Sequence, residues 1–325
     1  MHTQLLPGAV LRDRYRVVSL IGEGGMGAVY LTEDIRLPGR RCAVKEIRLP
    51  PGMSQEGAAE AEARARAQFH REASTLARLD HPNLPKVSDF FTVVHRDYLV
   101  MDYVAGTDLL EVVREARRKG KFLPEAQVLD WTEQLCAALS YLHRQDPPVL
   151  HRDVKPANIK LTPEGGIKLV DFGLVKPLDP DDATTFTGLR GMGSIPYTPL
   201  EQYGDLADHT DARSDIYALG ATLYHLVTGC EPPSAQEIFV EEETLVSPRK
   251  VNPALSRTVE DAILAAMRPN PRERPPSVEA WQRRLHASAP PPPAPPREAG
   301  AWQQNWPLVL LASLLTALVI YLTFR

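Results

Sequence analysis

Apolar and polar positions change rhythm once along this chain, near residue 105. Before it, short β-branched and aromatic runs alternate with turns. "YRVVSLI" leads into a glycine cluster, "AVYL" follows it, and "RCAVKEI" and "YLVMDYV" come later, all strand-like. One stretch breaks the pattern. Residues 56–79, "EGAAEAEARARAQFHREASTLARL", carry Phe69, Ala73, Leu76 and Leu79 at three- and four-residue spacing, as on an amphipathic helix. Its Ala-rich start reads as a solvated extension, with Glu60 and Glu62 as solvated charges. After residue 105 the rhythm is helical. "EAQVLDWTEQLCAALSYLHRQ" lines up Val128, Trp131, Leu135, Leu139 and Leu142. "DIYALGATLYHLVTG", with Gly229 as a stop, and "VEDAILAAMRP" are two more helices. "IKL", "TPEGG" and "IKLV" between them signal a hairpin. The pattern predicts an α+β protein with a small β-rich N-terminal part and a larger helical C-terminal part.

Composition alters this picture only beyond Leu285. Residues 286–305, including "ASAPPPPAPPREAG", cannot continue a helix and read as an extended, semi-rigid linker. Residues 306–324, "WPLVLLASLLTALVIYLTF", hold no charge in 19 positions. As a helix this run is about 28 Å long, close to the hydrocarbon thickness of a bilayer. Trp302 and Trp306 at one end and Tyr321 near the other suit the interfaces, so a transmembrane helix is expected, with only Arg325 beyond it. Ser313 and Ala317 form a small-xxx-small pair that suits a homodimer of the span. The start of the chain has no apolar run of signal-peptide length. A net charge of −4 gives no basic field for nucleic acid. Cys42, Cys136 and Cys230 are far apart and read as free thiols of a reducing compartment, not as a zinc site.

The glycine cluster brings in chemistry. "IGEGGMGAVYL" sets Gly22, Gly24 and Gly27 in a G-x-G-x-x-G pattern whose backbone N–H groups can approach a phosphate. A Walker A loop would continue Lys-Ser/Thr after the last glycine, but Ala28 follows Gly27. A dinucleotide fold would start a helix there and place an acid about 20 residues on. Instead a strand follows, and Lys45 stands 18 residues after Gly27. A strand lysine suits the α- and β-phosphates of ATP, so a glycine hairpin is the reading that remains.

Further groups follow in order. "LHRDVKPANIKL" holds His151, Arg152, Asp153, Lys155 and Asn158, and "VDFG" holds Asp171, Phe172 and Gly173. Asn158 comes five residues after Asp153, and Asp171 comes 18 after it. Over residues 14–285 the chain therefore resembles the bacterial type of serine/threonine protein kinase, a two-lobed fold. The resemblance implies an N-lobe at 14–101 behind a lead of residues 1–13, a connector at 102–107 and a C-lobe at 108–285.

The resemblance also implies roles. Asp153 would accept the proton of a substrate hydroxyl, Lys155 would offset charge growing on the γ-phosphate, and Asn158 and Asp171 would hold Mg2+, or Mn2+ in its place. Lys45 would hold the α- and β-phosphates of ATP, oriented by Glu72. Ile21, Gly22, Glu23, Gly24, Gly25, Met26, Gly27, Ala28, Val29 and Ala43 would form the loop and roof of the nucleotide site. Backbone groups of Asp102 and Val104 would bond the base, Met101 would flank it, and Asp108 would reach the ribose. On the floor the family usually has Leu or Met two residues after the asparagine; here Lys160 stands, whose stem can cover a base while its ammonium reaches water.

Lys155 resembles the serine/threonine class, and the substrates implied are Ser/Thr hydroxyls of proteins, the chain itself included. Thr184, Thr185 and Thr187 lie where bacterial relatives autophosphorylate, with Arg152 as partner of a phosphothreonine. The family's A-P-E appears as "TPLE" with Glu201 retained, expected to pair with Arg274. Ser194 takes the place of the usual threonine, and Asp215 would brace the catalytic loop beside Gly220. The stretch between Lys45 and Glu72 is longer than usual. Alternatives are a nucleotide-binding pseudokinase scaffold, or a small-molecule kinase, against which the full "HRDVKPAN" and the Glu201–Arg274 pair weigh. The site expected is cytoplasmic, on a single-pass protein of the cell membrane.

Overall fold

Six antiparallel strands form the first layer: β1 (Val10–Leu11), β2 (Tyr15–Gly24), β3 (Gly27–Asp34), β4 (Arg41–Ile47), β5 (Val87–Val93) and β6 (Arg96–Asp102). Their spatial order is β1-β2-β3-β4-β6-β5. The computed structural model describes residues 4–24, 27–47, 58–94, 96–171, 192–203 and 210–286. Most connections are hairpins between sequence neighbours. The exception is the segment between β4 and β5, which contains helix α1 (Ala58–Leu76). Phe69, Ala73 and Leu76 of that helix are buried together with Leu79 beyond its end, so the predicted stripe faces the core. β1 pairs with β2, and Gly8 and Ala9 exchange backbone bonds with Val17, so they belong to this sheet.

Gly27 is where the glycine hairpin needs glycine most. It faces Gly24 across the β2–β3 pair and Ile47 across β3–β4, with φ at +143°, and a Cβ there would lie 1.8 Å from the Glu46 carbonyl oxygen. Gly22 has an ordinary strand conformation and room beside Val29 for a side chain.

The second layer is helical. A short sheet of β7 (Thr107–Asp108), β8 (Ile159–Leu161) and β9 (Ile167–Leu169) sits among α2 (Leu109–Arg118), α3 (Glu125–His143) and α4 (Ala212–Thr228). Then follow α5 (Ala235–Val240), α6 (Pro248–Val251), α7 (Arg257–Ala266) and α8 (Val278–Leu285). β8 and β9 are the hairpin that the sequence signalled. Helix α4 is buried from Ser214 to Thr228, on all sides, because it lies in the middle of this layer. Gly220 lets α4 and α7 cross closely, since a Cβ there would stand 2.6 Å from the Ala266 Cβ. Gly229 caps α4 in the left-handed conformation, as its position after the helix predicts. The predicted face of α3, Val128, Trp131, Leu135, Leu139 and Leu142, is buried in a core that also takes in Phe69 and Leu99 of the first layer.

Cys42, Cys136 and Cys230 are free thiols, the first two buried and the third half-buried. Among the described residues no helix is long and apolar enough to cross a membrane. The linker beyond His286 and the apolar run at 306–324 lie outside the described residues.

Candidate active site

The segment between α3 and β8 is tied to α4 through Asp215. This carboxylate, fully buried in the first turn of α4, accepts the backbone N–H of His151 at 2.9 Å and of Arg152 at 2.8 Å. His143, the last residue of α3, brings Nε2 to 2.8 Å from the same carboxylate. Because a carboxylate only accepts, Nε2 carries the proton. Burial alone would raise the pKa of Asp215. The bond and charge of His143, with His151 and the Arg152 N–H, outweigh it and hold the group below its usual range. These bonds fix Arg152 at φ +65°, a left-handed backbone that costs an ordinary residue about 1–2 kcal/mol. Burial holds the His151 ring below its usual range, against the pull of the Asp215, Asp153 and Asp171 charges.

Beyond this anchor the polar groups meet around Asp153. Its Oδ2 accepts Lys155 Nζ at 2.8 Å and Asn158 Nδ2 at 2.8 Å, and its Oδ1 accepts the Ser194 hydroxyl at 3.3 Å. Lys155 Nζ also reaches Ser194 Oγ at 2.6 Å. Burial would raise Asp153, but the Lys155 ammonium, His151 and Asn158 keep it below the usual carboxylate range. A carboxylate held ionised in this way is a weak base and a good aligner of an incoming hydroxyl. Asn158 donates through its amide nitrogen, so its carbonyl oxygen is the group left to serve as a hard ligand. Its backbone carbonyl accepts the Val170 N–H at 2.8 Å, which brings Asp171 alongside. Asp171, at φ +67°, pairs with Lys45.

Lys45 arrives from the other layer. It sits on β4 opposite Val29 and Leu99, with its side chain 8% exposed. The carboxylate it meets is Asp171, whereas Glu72 accepts the amide of Gln68, one turn back on α1, at 2.7 Å. The expected Lys45–Glu72 pair is therefore not formed here. The reason is geometric: Lys45 is taken up by Asp171 and Glu72 by Gln68, and without the cation burial holds the Glu72 carboxyl above its usual range.

The glycine turn joins two antiparallel strands and does not lead from a strand into a helix, which removes the dinucleotide geometry. Ala28 is buried, Val29 half-buried, Ile21 exposed, and Glu23 accepts Gln4 Nε2 at 2.6 Å. Ala43 is buried and pairs with Leu31 and Met101 on its neighbours. Asp102 and Val104 are half-buried between β6 and β7, and the Asp102 N–H is spent on the Lys86 carbonyl at 3.0 Å. Asp108 caps α2 by accepting the Glu111 N–H at 2.9 Å, with Lys160 Nζ 3.5 Å from its other oxygen. Gly25, Met26, Phe172, Gly173, Thr184, Thr185 and Thr187 lie outside the described residues.

Comparison with known proteins settles the family. The family described as "Protein kinase domain" matches residues 15–285. The chain belongs to the protein kinase family. It is 34% identical over 277 residues to serine/threonine-protein kinase PrkC of Bacillus subtilis, covering 83% of this chain and 40% of that protein. It is 32% identical over 294 residues to serine/threonine-protein kinase PknB of Mycobacterium leprae, covering 86% of this chain and 44% of that protein. The chain thus spans less than half the length of these two relatives. Among solved structures it resembles the PknI kinase domain of Mycobacterium tuberculosis, with TM-score 0.63 and 27% identity, covering 87% of this chain and 99% of that one.

In this kinase-family chain residues 192–203 are tied down by a buried ion pair. Arg274 Nη1 and Nη2 bond the two oxygens of Glu201 at 2.7 and 3.0 Å. Ser214 donates to Glu201 at 2.7 Å, and Arg274 also donates to the carbonyls of Arg268, Pro269 and Arg213. A buried pair with its remaining donors satisfied in this way tolerates the loss of solvation. His143 is the residue that sequence reasoning missed. Its signal was faint, a histidine at the end of α3 eight residues before His151.

Proposed function

We propose that this chain is an ATP-dependent serine/threonine protein kinase that transfers the γ-phosphate of Mg-ATP to Ser and Thr hydroxyls of proteins. The observation that carries the reading is one continuous set of contacts: Lys45 to Asp171, Asp171 through Val170 to Asn158, and Asn158, Lys155 and Ser194 to Asp153. The donor set fits the nucleotide and its metal. Asn158 and Asp171 offer hard oxygens, as Mg2+ requires, and few of them, as suits an ion that keeps waters and phosphate oxygens. Among the described residues there is no cluster of three or more His, Cys, Asp or Glu that would hold a metal by itself. When bound, Mg-ATP supplies the transferable phosphoryl group and most of the charge neutralisation at its oxygens.

The residues of the chain supply position. Lys45 would hold the α- and β-phosphates, and Lys155 would offset charge on the group in transit. Asp153 aligns the hydroxyl and takes its proton as the new O–P bond forms and the bond to ADP breaks. The names of the relatives support serine and threonine as acceptors. Self-phosphorylation belongs to the same reading. Arg152 Nε is buried and has no hydrogen-bond partner among the described residues, a setting that suits a phosphate on Thr184, Thr185 or Thr187. The run at 306–324 would anchor the chain in the cell membrane with the kinase domain on the cytoplasmic side, where ATP is, and would favour a homodimer of the span.

The test compares the full chain with its Asp153→Asn variant in Mg2+ and labelled ATP. Label on the native chain and its loss in the variant is the expected result. Equal labelling of both would remove the role given to Asp153. Phosphosite mapping that finds all three threonines unmodified in active protein would end the self-phosphorylation reading.

A further inference from the structure

The glycine hairpin has two faces, and the strand period separates them. On β3, Ala28 and Tyr30 are buried, while Val29 and Leu31 are half-buried. Val29 stands opposite Lys45 and packs towards the main core, so its face is the one turned to the phosphate-binding groups. The other face carries Val17, Ala28 and Tyr30. These form a small cluster of their own, closed by Leu5 and Ala9 from the segment ahead of β1.

That segment is bonded to the hairpin at three places. The Gly8 N–H and the Ala9 carbonyl pair with the carbonyl and N–H of Val17, both at 2.8 Å. The Leu5 N–H donates to the Tyr30 hydroxyl at 3.2 Å, and that hydroxyl donates to the buried Glu46 carboxylate at 3.4 Å. Gln4 Nε2 donates at 2.6 Å to Glu23, which stands between two glycines of the turn. Strand β2 has need of such support. Its pairing with β3 shifts register between Val17 and Ser19 and again between Leu20 and Gly22, and each shift interrupts the ladder that would stiffen the strand. Leu20 and Ile21 are 40% and 46% exposed, so their packing adds little.

We propose that residues 4–9 brace the glycine hairpin from its outer face, with Leu5 as the positioning residue, so that affinity for Mg-ATP depends on a segment outside the nucleotide site. A hairpin already held in shape gives up less freedom when its N–H groups meet the phosphates. Leu5 acts through Ala28 and Tyr30 and takes no part in phosphoryl transfer. The inference rests on the reading of the chain as an ATP-binding kinase.

Calorimetric titration of the full chain and its Leu5→Asp and Leu5→Met variants with Mg-ATP tests it, with turnover read at saturating ATP. Leu5→Asp sets a charge against the apolar cluster and should weaken nucleotide binding about fivefold to tenfold. Saturated turnover should stay within about twofold, a split that general damage would not produce. Leu5→Met keeps an apolar cover and should bind within about twofold of the native chain. Unchanged affinity in Leu5→Asp overturns the proposal, and so does an equal loss from both variants. Amide exchange without nucleotide guards against a folding defect. In Leu5→Asp the N–H groups of β2 and β3 should exchange faster than in the native chain, while those of α4 keep their rate. Faster exchange in α4 as well would mean general unfolding, and overturns the brace. If ATP does not bind the native chain, the kinase reading falls with it. If ATP binds and its affinity does not respond to Leu5, only this inference falls.

Discussion

The two halves of the candidate site are built differently. On the helical side, Asp153 receives three side-chain donors and Asp215 holds the backbone of the same loop by two N–H groups and His143. Each group is restrained by several others, so none can move alone. On the sheet side, Lys45 meets Asp171 and Glu72 meets Gln68. Those two carboxylates compete for one cation, and the choice between them turns on burial and reach. The chemistry that orients a hydroxyl is preassembled; the grip on the phosphates is adjustable. Regulation of such a molecule would act most readily on the sheet side, where the exchange of one ion pair changes the arrangement.

Four experiments break or sharpen this contrast. The largest effect belongs to Asp153→Asn, which keeps the shape but removes the charge that three donors surround. Phosphoryl transfer by the full chain should fall by about 10³-fold or more, roughly 4 kcal/mol of transition-state stabilisation, read by single-turnover labelling. A fall under tenfold would place the chemistry elsewhere.

Next comes Arg274→Ala, which leaves Glu201 buried without its bidentate partner. Denaturant melts should show a loss of about 3–5 kcal/mol. If Glu201→Gln in the same background recovers part of the loss, the cost is the stranded charge and not the missing arginine.

Ser194→Ala removes the hydroxyl that touches both Asp153 and Lys155, and should reduce turnover by about tenfold, equal to one hydrogen bond near 1.4 kcal/mol. Ser194→Thr keeps the hydroxyl and should hold turnover within about threefold. Equal damage from both would mean that the pocket reads side-chain size.

The smallest effect, read as a sign, concerns Glu72. Burial penalises its charged form and raises its carboxyl above the usual range, with the Gln68 bond opposing in part. The folded state thus holds that proton more tightly than the unfolded state. Its contribution is fully present below the unfolded value, shrinks as pH rises through the raised folded value, and is level above it. Glu72→Gln should therefore gain on the native chain in denaturant melts as pH rises from about 4 to about 7. A gain that shrinks over that range would mean that Glu72 is stabilised as a carboxylate, by a cation such as Lys45.

Much of the site was legible in advance because it is carried by short local words. The run from His151 to Asn158 packs its functional groups into eight residues, and the glycine pattern followed by "AVYL" already separated a hairpin from a helix start. Asp215 and Arg274 are further off, yet their motifs flagged them, and the structure brings each to its partner. Less legible were contacts with no fixed spacing. His143 and Asp215 are 72 residues apart and share no motif, and the Lys160–Asp108 pair arises from the register of β7 on β8.

The amino-acid sequence by itself determined the alternation of elements, the sites of the hairpins and caps, and which chemical groups would be present and in what order. These follow from backbone preferences and apolar spacing that act over a few residues. Tertiary structure alone decided which carboxylate faces Lys45, which groups hold the Asp153 loop in its left-handed turn, and what stands beside Lys160. Such choices lie between partners brought together from distant parts of the chain, whose energies differ by little and depend on burial and strand register.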